Sequence, residues 1–196
     1  MQERIGEVKR ITKETQIEVS INLDGNGKTD ISTGIGFFDH MLNSFARHGL
    51  FDLKVSAKGD LDVDCHHTIE DVGIVLGQAI SKALGDKKSI CRYGESILPM
   101  DDALILCAAD LSQRPYLGYE ASIPSERVGD FDTEMVKEFF YAISYSAAMN
   151  LHIRQLAGNN SHHIIEGMFK AFGKTLDKAT MIDKRIVDVL STKGSL

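Results

Sequence analysis

The 196-residue chain contains no tryptophan, only three prolines and only three cysteines. Cys65, Cys91 and Cys107 are odd in number and widely spaced, so they form neither a disulfide framework nor a CxxC metal site, and we expect reduced thiols in a cytoplasmic protein. No apolar run approaches the roughly 18–20 residues of a membrane span, and the N-terminus is charged from the third residue, so we expect no membrane segment and no signal peptide. The net charge of −6 argues against a nucleic-acid partner, which would need a basic face.

Histidine is the distinctive residue of this sequence. Four of the seven histidines form two adjacent pairs, and each pair begins an HHxxE pattern, HHTIE at 66–70 and HHIIE at 162–166. Counting of template matches gives one such pattern by chance in roughly 1% of chains of this composition, and two in about one in ten thousand. The two patterns therefore indicate an internal duplication.

The sequence around the two patterns also repeats. Hydrophobic periodicity predicts amphipathic helices over 66–84 and 162–180, with Asp64 and Ser161 as N-caps, and alternating strands over 49–60 and 148–159. Further helices are predicted over 37–48 and 133–149, and further strands over 17–23, 103–110 and 116–123. Each half is thus predicted to be β-β-α-β-α, which gives an α+β fold of two small sheets with helices packed against them. We expect one unit over 1–196, with halves of about 1–90 and 91–196.

The histidine pairs suit metal binding. On a helix, residues i and i+4 share a face, so His66 with Glu70, and His162 with Glu166, can each chelate one divalent ion. His67 and His163 diverge from their neighbours by about 100° and must point elsewhere. The economical arrangement has two ions, each held by a His/Glu pair from one helix and a single histidine from the other, and the divergence of adjacent histidines also allows the ions to lie between subunits. Mixed histidine and carboxylate ligands favour Mn²⁺ or Fe²⁺, while Zn²⁺ and Co²⁺ remain substitutes.

An alternative is that these are ordinary exposed residues of a first helical turn, but that explains the glutamates and not the adjacent histidines. Three other residues are candidates for completing the metal sites. His40 is a natural further ligand, and sliding the helices of the two halves together places Glu138 where His40 stands, which would give each ion four protein donors. His152 is kept as a substitute for Glu138, because a histidine on a half-buried strand is more often structural.

A set of cationic and hydroxyl side chains could form a phosphate pocket, because arginine binds phosphate in a forked geometry and lysine adds a point charge. Each of them alone is an ordinary surface residue. The set comprises Arg92, Arg114, Lys170, Ser191, Thr192 and Lys193. His48, at the end of the 37–48 helix, is a further substrate-binding candidate, although a histidine is also favoured there by the helix dipole.

Nearly the whole chain resembles the imidazoleglycerol-phosphate dehydratases. The resemblance rests on GIGFFDHML, DCHHTIEDVGI, RYG, PMDDAL, the block LHIRQLAGNNSHHIIEGMFKAFGKTLD and STKG. It implies a duplicated fold like that of ribosomal protein S5 domain 2, two Mn²⁺ per subunit, and a twenty-four-subunit homo-oligomer whose active sites lie at subunit contacts.

The resemblance also implies a reaction. Water is removed from D-erythro-imidazole-glycerol phosphate to give imidazole-acetol phosphate in L-histidine biosynthesis, by way of a metal-bound imidazolate that expels the hydroxyl group. Glu14, in the KET segment, is the expected proton shuttle, and Arg92, Arg114, Lys170, Ser191 and Lys193 match the phosphate-binding positions. The catalytic set is then Glu14, His40, His66, His67, Glu70, His162, His163 and Glu166. The rival classes are a metal-dependent hydrolase and a non-catalytic metal-storage or assembly protein, and the latter would not need the cationic set.

Overall fold

The computed structural model describes residues 3–196, which form two halves of similar element order. The first half contains β1 (Ile5–Ile11), β2 (Thr15–Asn22), β3 (Thr29–Ser32), α1 (Gly36–Gly49), β4 (Asp52–Gly59) and α2 (His66–Leu84). The second half contains β5 (Tyr93–Met100), β6 (Ala103–Asp110), β7 (Tyr116–Glu120), the short strands β8 (Arg127–Val128) and β9 (Phe131–Asp132), α3 (Met135–Ser146), β10 (Asn150–Ala157) and α4 (Ser161–Thr180).

The two main sheets have the same topology. Their strand orders are β1-β2-β4-β3 and β5-β6-β10-β7, and in each the last strand pairs in parallel while the other pairs are antiparallel. The predicted α+β class and the duplication are confirmed. The predicted β-β-α-β-α order is corrected to three strands before the first helix of each half, with the additional β8–β9 hairpin in the second half. The strands β1, β3 and β5, which the sequence did not predict, lie at sheet edges and each pair with one neighbour. Their side chains therefore alternate only weakly between buried and exposed.

The helices lie between the two sheets. Helix α2 packs on β1 and β2 and α4 on β5 and β6, while α1 contacts α4 and α2 contacts α3 across the two halves. The inner faces of the strands bury alternate apolar residues such as Ile17, Val19 and Ile21. One hydrophobic cluster contains residues from both halves, so the helices of each half pack against those of the other in a single shared core. No helix within residues 3–196 is long and apolar enough to cross a membrane.

The halves can be superposed element by element along the chain. Helices α1 and α3 both end in a left-handed residue, Leu50 with φ 58° and Ala148 with φ 51°, which are 98 residues apart. The histidine pairs that begin α2 and α4 are instead 96 residues apart. The difference arises because six residues, 60–65, separate β4 from the first pair, whereas four residues, 158–161, separate β10 from the second. The 98-residue offset makes Glu138 the counterpart of His40.

Candidate metal centre

The first turn of α4 carries the second histidine pair. The helix begins after Asn160, whose side-chain oxygen accepts a hydrogen bond from the His163 N–H at 3.2 Å. The predicted N-cap Ser161 is instead the first helical residue, and its hydroxyl accepts from the Ser125 N–H at 3.0 Å. At the start of α2, Asp64 does accept from the His66 N–H, at 2.7 Å, although Cys65 occupies the capping position.

His40, His162 and Glu166 converge at the contact between α1 and α4. Their ligand atoms all lie within 4.8 Å of one another, and within residues 3–196 no other set of three histidine, cysteine or carboxylate side chains meets that condition. Oε2 of Glu166 lies 3.1 Å from Nε2 of His162 and 3.8 Å from Nε2 of His40. The edge of the His162 ring packs against Phe37, with ring centroids 5.1 Å apart, which orients the imidazole.

Glu166 is the buried member of this group, with a side chain only 8% exposed. Burial raises its pKa, but the ammonium of Lys170, 2.7 Å from Oε1, together with His40 and His162, outweighs that effect and leaves the pKa below its usual value. The carboxylate is therefore ionised at neutral pH and directs Oε2 at two imidazole nitrogens. Two imidazoles and one carboxylate with open positions fit a divalent transition metal. Lys170, predicted to bind phosphate, lies at this group and pairs with Glu166.

The corresponding group on α2 is open. Nε2 of His66 and Oε2 of Glu70 are 3.9 Å apart, and both side chains are 45% exposed. Glu138 is half-buried on α3, which packs on α2 as α1 packs on α4, but no third ligand comes within reach of His66 and Glu70 in the part of the chain that the structure describes. His152 projects from the face of β10 opposite the helices, where its ring packs on Tyr116.

The second histidine of each pair faces a carboxylate. Nδ1 of His67 lies 3.0 Å from Asp60, and Nδ1 of His163 lies 2.7 Å from Asp102. The first histidine of each pair faces the glutamate one turn later and the second faces Asp60 or Asp102, which agrees with the divergence expected of adjacent helical residues. The hydrogen bond to Asp60 raises the pKa of His67, and the negative charge of Glu14 adds to that effect. Sequence reasoning missed both aspartates, although each lies in a turn that precedes or faces a histidine pair.

Glu14 and His48 lie outside the converging group. Glu14 is exposed in the turn between β1 and β2, where its N–H donates to the Thr12 hydroxyl at 3.1 Å. Nδ1 of His48 lies 2.9 Å from the Ser44 carbonyl in the last turn of α1. This contact is the one that the helix dipole favours for a histidine near the end of a helix, which is the alternative to substrate binding for His48.

The remaining phosphate-binding candidates line one cleft. Its volume is about 970 Å³, and its walls include Arg92, Arg114, Ser191, Thr192 and Lys193. Arg92 is buried and fixed by Asp110, 2.7 Å from its Nε, and its Nη1 donates to the Leu190 carbonyl at 2.7 Å. Arg114 is 67% exposed at the cleft edge. Sequence reasoning missed Asp110, which joins the two arginines and so attaches the C-terminal segment to the second sheet.

Comparison with known proteins identifies the family. A family model described as imidazoleglycerol-phosphate dehydratase matches residues 33–176. Proteins of that name from Acetivibrio thermocellus and Caldanaerobacter subterraneus are 63% and 60% identical to this chain, over 97% and 98% of it and over 97% and 100% of their own length. The crystal structure of the Staphylococcus aureus imidazoleglycerol-phosphate dehydratase superposes with a TM-score of 0.83 at 41% identity, covering 91% of this chain and 99% of that one. A Pyrococcus furiosus structure, solved in complex with (S)-C348, gives a TM-score of 0.83 at 39% identity, covering 96% of this chain and 100% of that one. The chain therefore belongs to the imidazoleglycerol-phosphate dehydratase family of hydro-lyases.

Proposed function

We propose that this chain converts D-erythro-imidazole-glycerol phosphate to imidazole-acetol phosphate in L-histidine biosynthesis. The observation that carries the proposal is the convergence of His40, His162 and Glu166 in a chain that matches this family along most of its length. We also propose that residues 1–196 act as one dehydratase unit of two halves that divide near residues 90–91, because the two halves share one core. The cytoplasmic location stays a prediction.

The proposal includes two Mn²⁺ per subunit. One ion would be held by His40, His162 and Glu166, with a single histidine of the other pair, and the second by His66, Glu70 and Glu138 in the same way. The donor chemistry supports a metal of this type, since each group offers imidazole nitrogens and at least one carboxylate. When bound, the ions supply Lewis-acid polarisation of the imidazole group of the substrate.

The chain's own side chains would carry out the remaining steps. The dehydration removes a hydroxyl group and a proton from neighbouring carbons, and the resulting enol becomes the ketone by a second proton transfer. The Glu14 carboxylate takes the carbon-bound proton and returns it during ketonisation, since it is exposed and lies near His67. The cleft that contains Arg92, Arg114 and Lys193 binds the substrate phosphate through its cationic walls.

We propose that the active sites form at subunit contacts in a twenty-four-subunit homo-oligomer. The metal-capable group and the cationic cleft share no residue within this chain, and the His66/Glu70 group lacks its third ligand within the described residues. Both observations support completion of the sites by a second copy. Sedimentation should accordingly show a smaller particle after chelation and recovery of the large one after addition of Mn²⁺, because the ligands of each ion come from different subunits. An unchanged particle would contradict metal-dependent assembly.

The activity is tested by incubating the Mn²⁺-loaded protein with imidazole-glycerol phosphate and measuring the ketone product and inorganic phosphate in parallel. Ketone without phosphate release supports the dehydratase. Phosphate release without ketone would support the hydrolase, and bound Mn²⁺ with neither product would support a storage protein. Glu166→Gln should abolish ketone formation, whereas Glu120→Gln, a matched change at an exposed ion pair with Arg154, should not.

The Glu138 assignment has its own test. Glu138→Ala should lose about one of the two ions, and Glu138→His should retain both and shift the metal preference, because imidazole is a softer donor than carboxylate. Two Mn²⁺ per chain in Glu138→Ala would contradict the assignment, and His152, on the outer face of β10, could then serve as the ligand only in a site shared with a second copy.

A further inference from the structure

The β1–β2 and β5–β6 turns occupy the same place in the two halves. The antiparallel registers pair Ile11 with Gln16 and Met100 with Ala103, and both hairpins superpose with a constant offset of 88 residues and no gap. At that offset Glu14 is the counterpart of Asp102. Both turns lie beside the second histidine of a pair: the Thr15 hydroxyl donates to Asp71, one helical turn after His67, and Asp102 lies 2.7 Å from His163, so each half places a turn that carries a carboxylate next to this histidine.

In the second half this turn carboxylate is fully engaged. Asp102 accepts hydrogen bonds from the Asn159 N–H at 2.7 Å and the Asn160 N–H at 3.1 Å, and it lies 2.7 Å from Nδ1 of His163. These three contacts, the Asn159 N–H first, hold the pKa of Asp102 well below its usual range. Asp102 therefore fixes the orientation of His163, and these contacts occupy its carboxylate oxygens.

In the first half the histidine partner comes from another element. Asp60, immediately after β4, lies 3.0 Å from Nδ1 of His67. Strand β10 has one extra residue at its bulge between Gln155 and Ala157, so the offset beyond the bulge is 99 and the counterpart of Asp60 is Asn159, which has no carboxylate and whose N–H donates to Asp102. The first half thus carries a carboxylate at both positions, whereas the second half carries carboxylates only in its turn, where Asp101 lies 3.3 Å from Nε2 of His163 beside Asp102.

The Glu14 carboxylate is the surplus one. Within residues 3–196 it accepts no hydrogen bond, and it is exposed to solvent beside His67. Since Asp60 already faces Nδ1 of His67, nothing in this half requires Glu14 to orient the imidazole. A carboxylate that is held near a catalytic group but free of partners can accept and return a proton.

We propose that Asp60 is a positioning residue that orients His67 in place of the turn carboxylate and so keeps Glu14 free for proton transfer. This inference rests on the proposed function. It predicts that without Asp60 the Glu14 side chain is drawn to His67, as Asp102 is to His163. Asp60 thereby controls both the metal affinity of the His67 imidazole and the availability of Glu14.

The test measures Mn²⁺ affinity of the metal-free protein from the electron paramagnetic resonance signal of free Mn²⁺, together with kcat and KM. Loss of a carboxylate that orients a metal-binding histidine costs about 10–100-fold in affinity, so we expect about tenfold weaker binding in Asp60→Ala and about 100-fold in Asp60→Ala/Glu14→Gln. Glu14→Gln alone should leave the affinity unchanged while lowering kcat by about 10²–10⁴-fold at constant KM. Asp60→Ala should also lower kcat by a larger factor than it changes KM.

The control is Asp30→Asn, which removes an exposed carboxylate paired with Lys54 and should match the wild type in every readout. If Asp60→Ala does not fold, Asp60→Asn tests the same point, because it keeps the size of the side chain but removes the carboxylate that faces His67. Equal effects of Glu14→Gln on Mn²⁺ affinity in the two backgrounds, or wild-type affinity and kcat in the Asp60 variants, would overturn the proposal. Wild-type protein that forms no ketone would instead overturn the dehydratase function, so the two failures are distinguishable.

Discussion

The approach of α1 to α4 sets the geometry of the His40, His162 and Glu166 group, and Gly173 of α4 lies at the closest part of that contact. A Cβ atom at Gly173 would lie 2.4 Å from the Phe45 carbonyl oxygen and 3.1 Å from the Gly49 nitrogen. Ordinary carbon–oxygen contacts begin near 3.3 Å, so Gly173→Ala should push α1 away from α4 by about 1 Å. His40 lies on α1 one helical turn and a half before Phe45, and it would move with the helix.

The expected magnitude follows from the tolerance of metal sites. Metal–ligand distances vary by only about 0.2 Å, so a retreat of about 1 Å removes His40 from the group that also contains His162 and Glu166. We expect Mn²⁺ binding at this site to weaken by about tenfold or more, which is the loss of one ligand's contribution of at least about 1.4 kcal/mol. Overpacking should also lower the free energy of unfolding by about 1–3 kcal/mol. The higher helix propensity of alanine offsets up to about 1 kcal/mol of that loss.

The matched control is Gly36→Ala in α1, where a Cβ atom meets nothing within 4 Å. This variant should bind Mn²⁺ as the wild type does and be equally stable or slightly more so. Both variants are compared by Mn²⁺ titration of the metal-free protein and by urea unfolding. Wild-type Mn²⁺ affinity in a Gly173→Ala protein of lowered stability would refute the idea that the close helix contact sets the metal geometry.

Three further changes test other parts of the structure. Cys107 is fully buried on β6 and its thiol pKa is raised to about 12, so its contribution to stability is complete below about pH 8.5 and is lost as pH rises toward 12. Between pH 8 and pH 11 the free energy of unfolding, measured in urea, should therefore fall by on the order of 3 kcal/mol more in the wild type than in Cys107→Ala. Equal falls in the two proteins would contradict the burial argument. Thr15→Val removes the hydroxyl that donates to the buried Asp71 carboxylate, so the free energy of unfolding, measured in urea, should fall by about 1–3 kcal/mol. The same change should lower kcat, because it disturbs the turn that carries Glu14. Thr15→Ser keeps the hydroxyl and should have neither effect. Lys193→Ala should raise KM strongly with unchanged Mn²⁺ content, because it removes a cation from the cleft, and an unchanged KM would exclude that cleft as the phosphate site.

The fold was predictable where the sequence pattern reflects local burial. The helices α2 and α4 present one apolar face to a sheet, and β2 buries every second residue, so their periodicity is strong. Strand β3 has four residues, of which three are exposed, and it is defined by its parallel pairing with β4. Strand β1 carries alternating charged side chains at a sheet edge. Pairing of that kind depends on distant residues, which a local pattern does not contain.

The candidate site was predictable to the same extent. The i, i+4 spacing correctly brings His162 within 3.1 Å of Glu166. Addition of His40 to that pair depends on the packing of α1 on α4, and the sequence offers only a weak signal for it. The carboxylates that face His67 and His163 were missed, because Asp60 and Asp102 reach those rings through the geometry of two turns.

The two HHxxE patterns also show why a repeated motif does not give two equal sites. Lys170 lies one helical turn after Glu166, and the counterpart of Lys170 at the 96-residue offset is Ile74. Glu166 is consequently buried, paired with an ammonium and already aligned with two imidazoles, so an ion that binds there must compete with the Lys170 charge. Glu70 is 45% exposed and has no cation at that position, so an ion that binds there meets less competition but must order two exposed side chains. Ion binding is thus opposed by the charge of Lys170 on α4 and by the loss of side-chain conformational entropy on α2. The residue one turn beyond each glutamate, Lys170 or Ile74, determines which of these two free-energy costs applies.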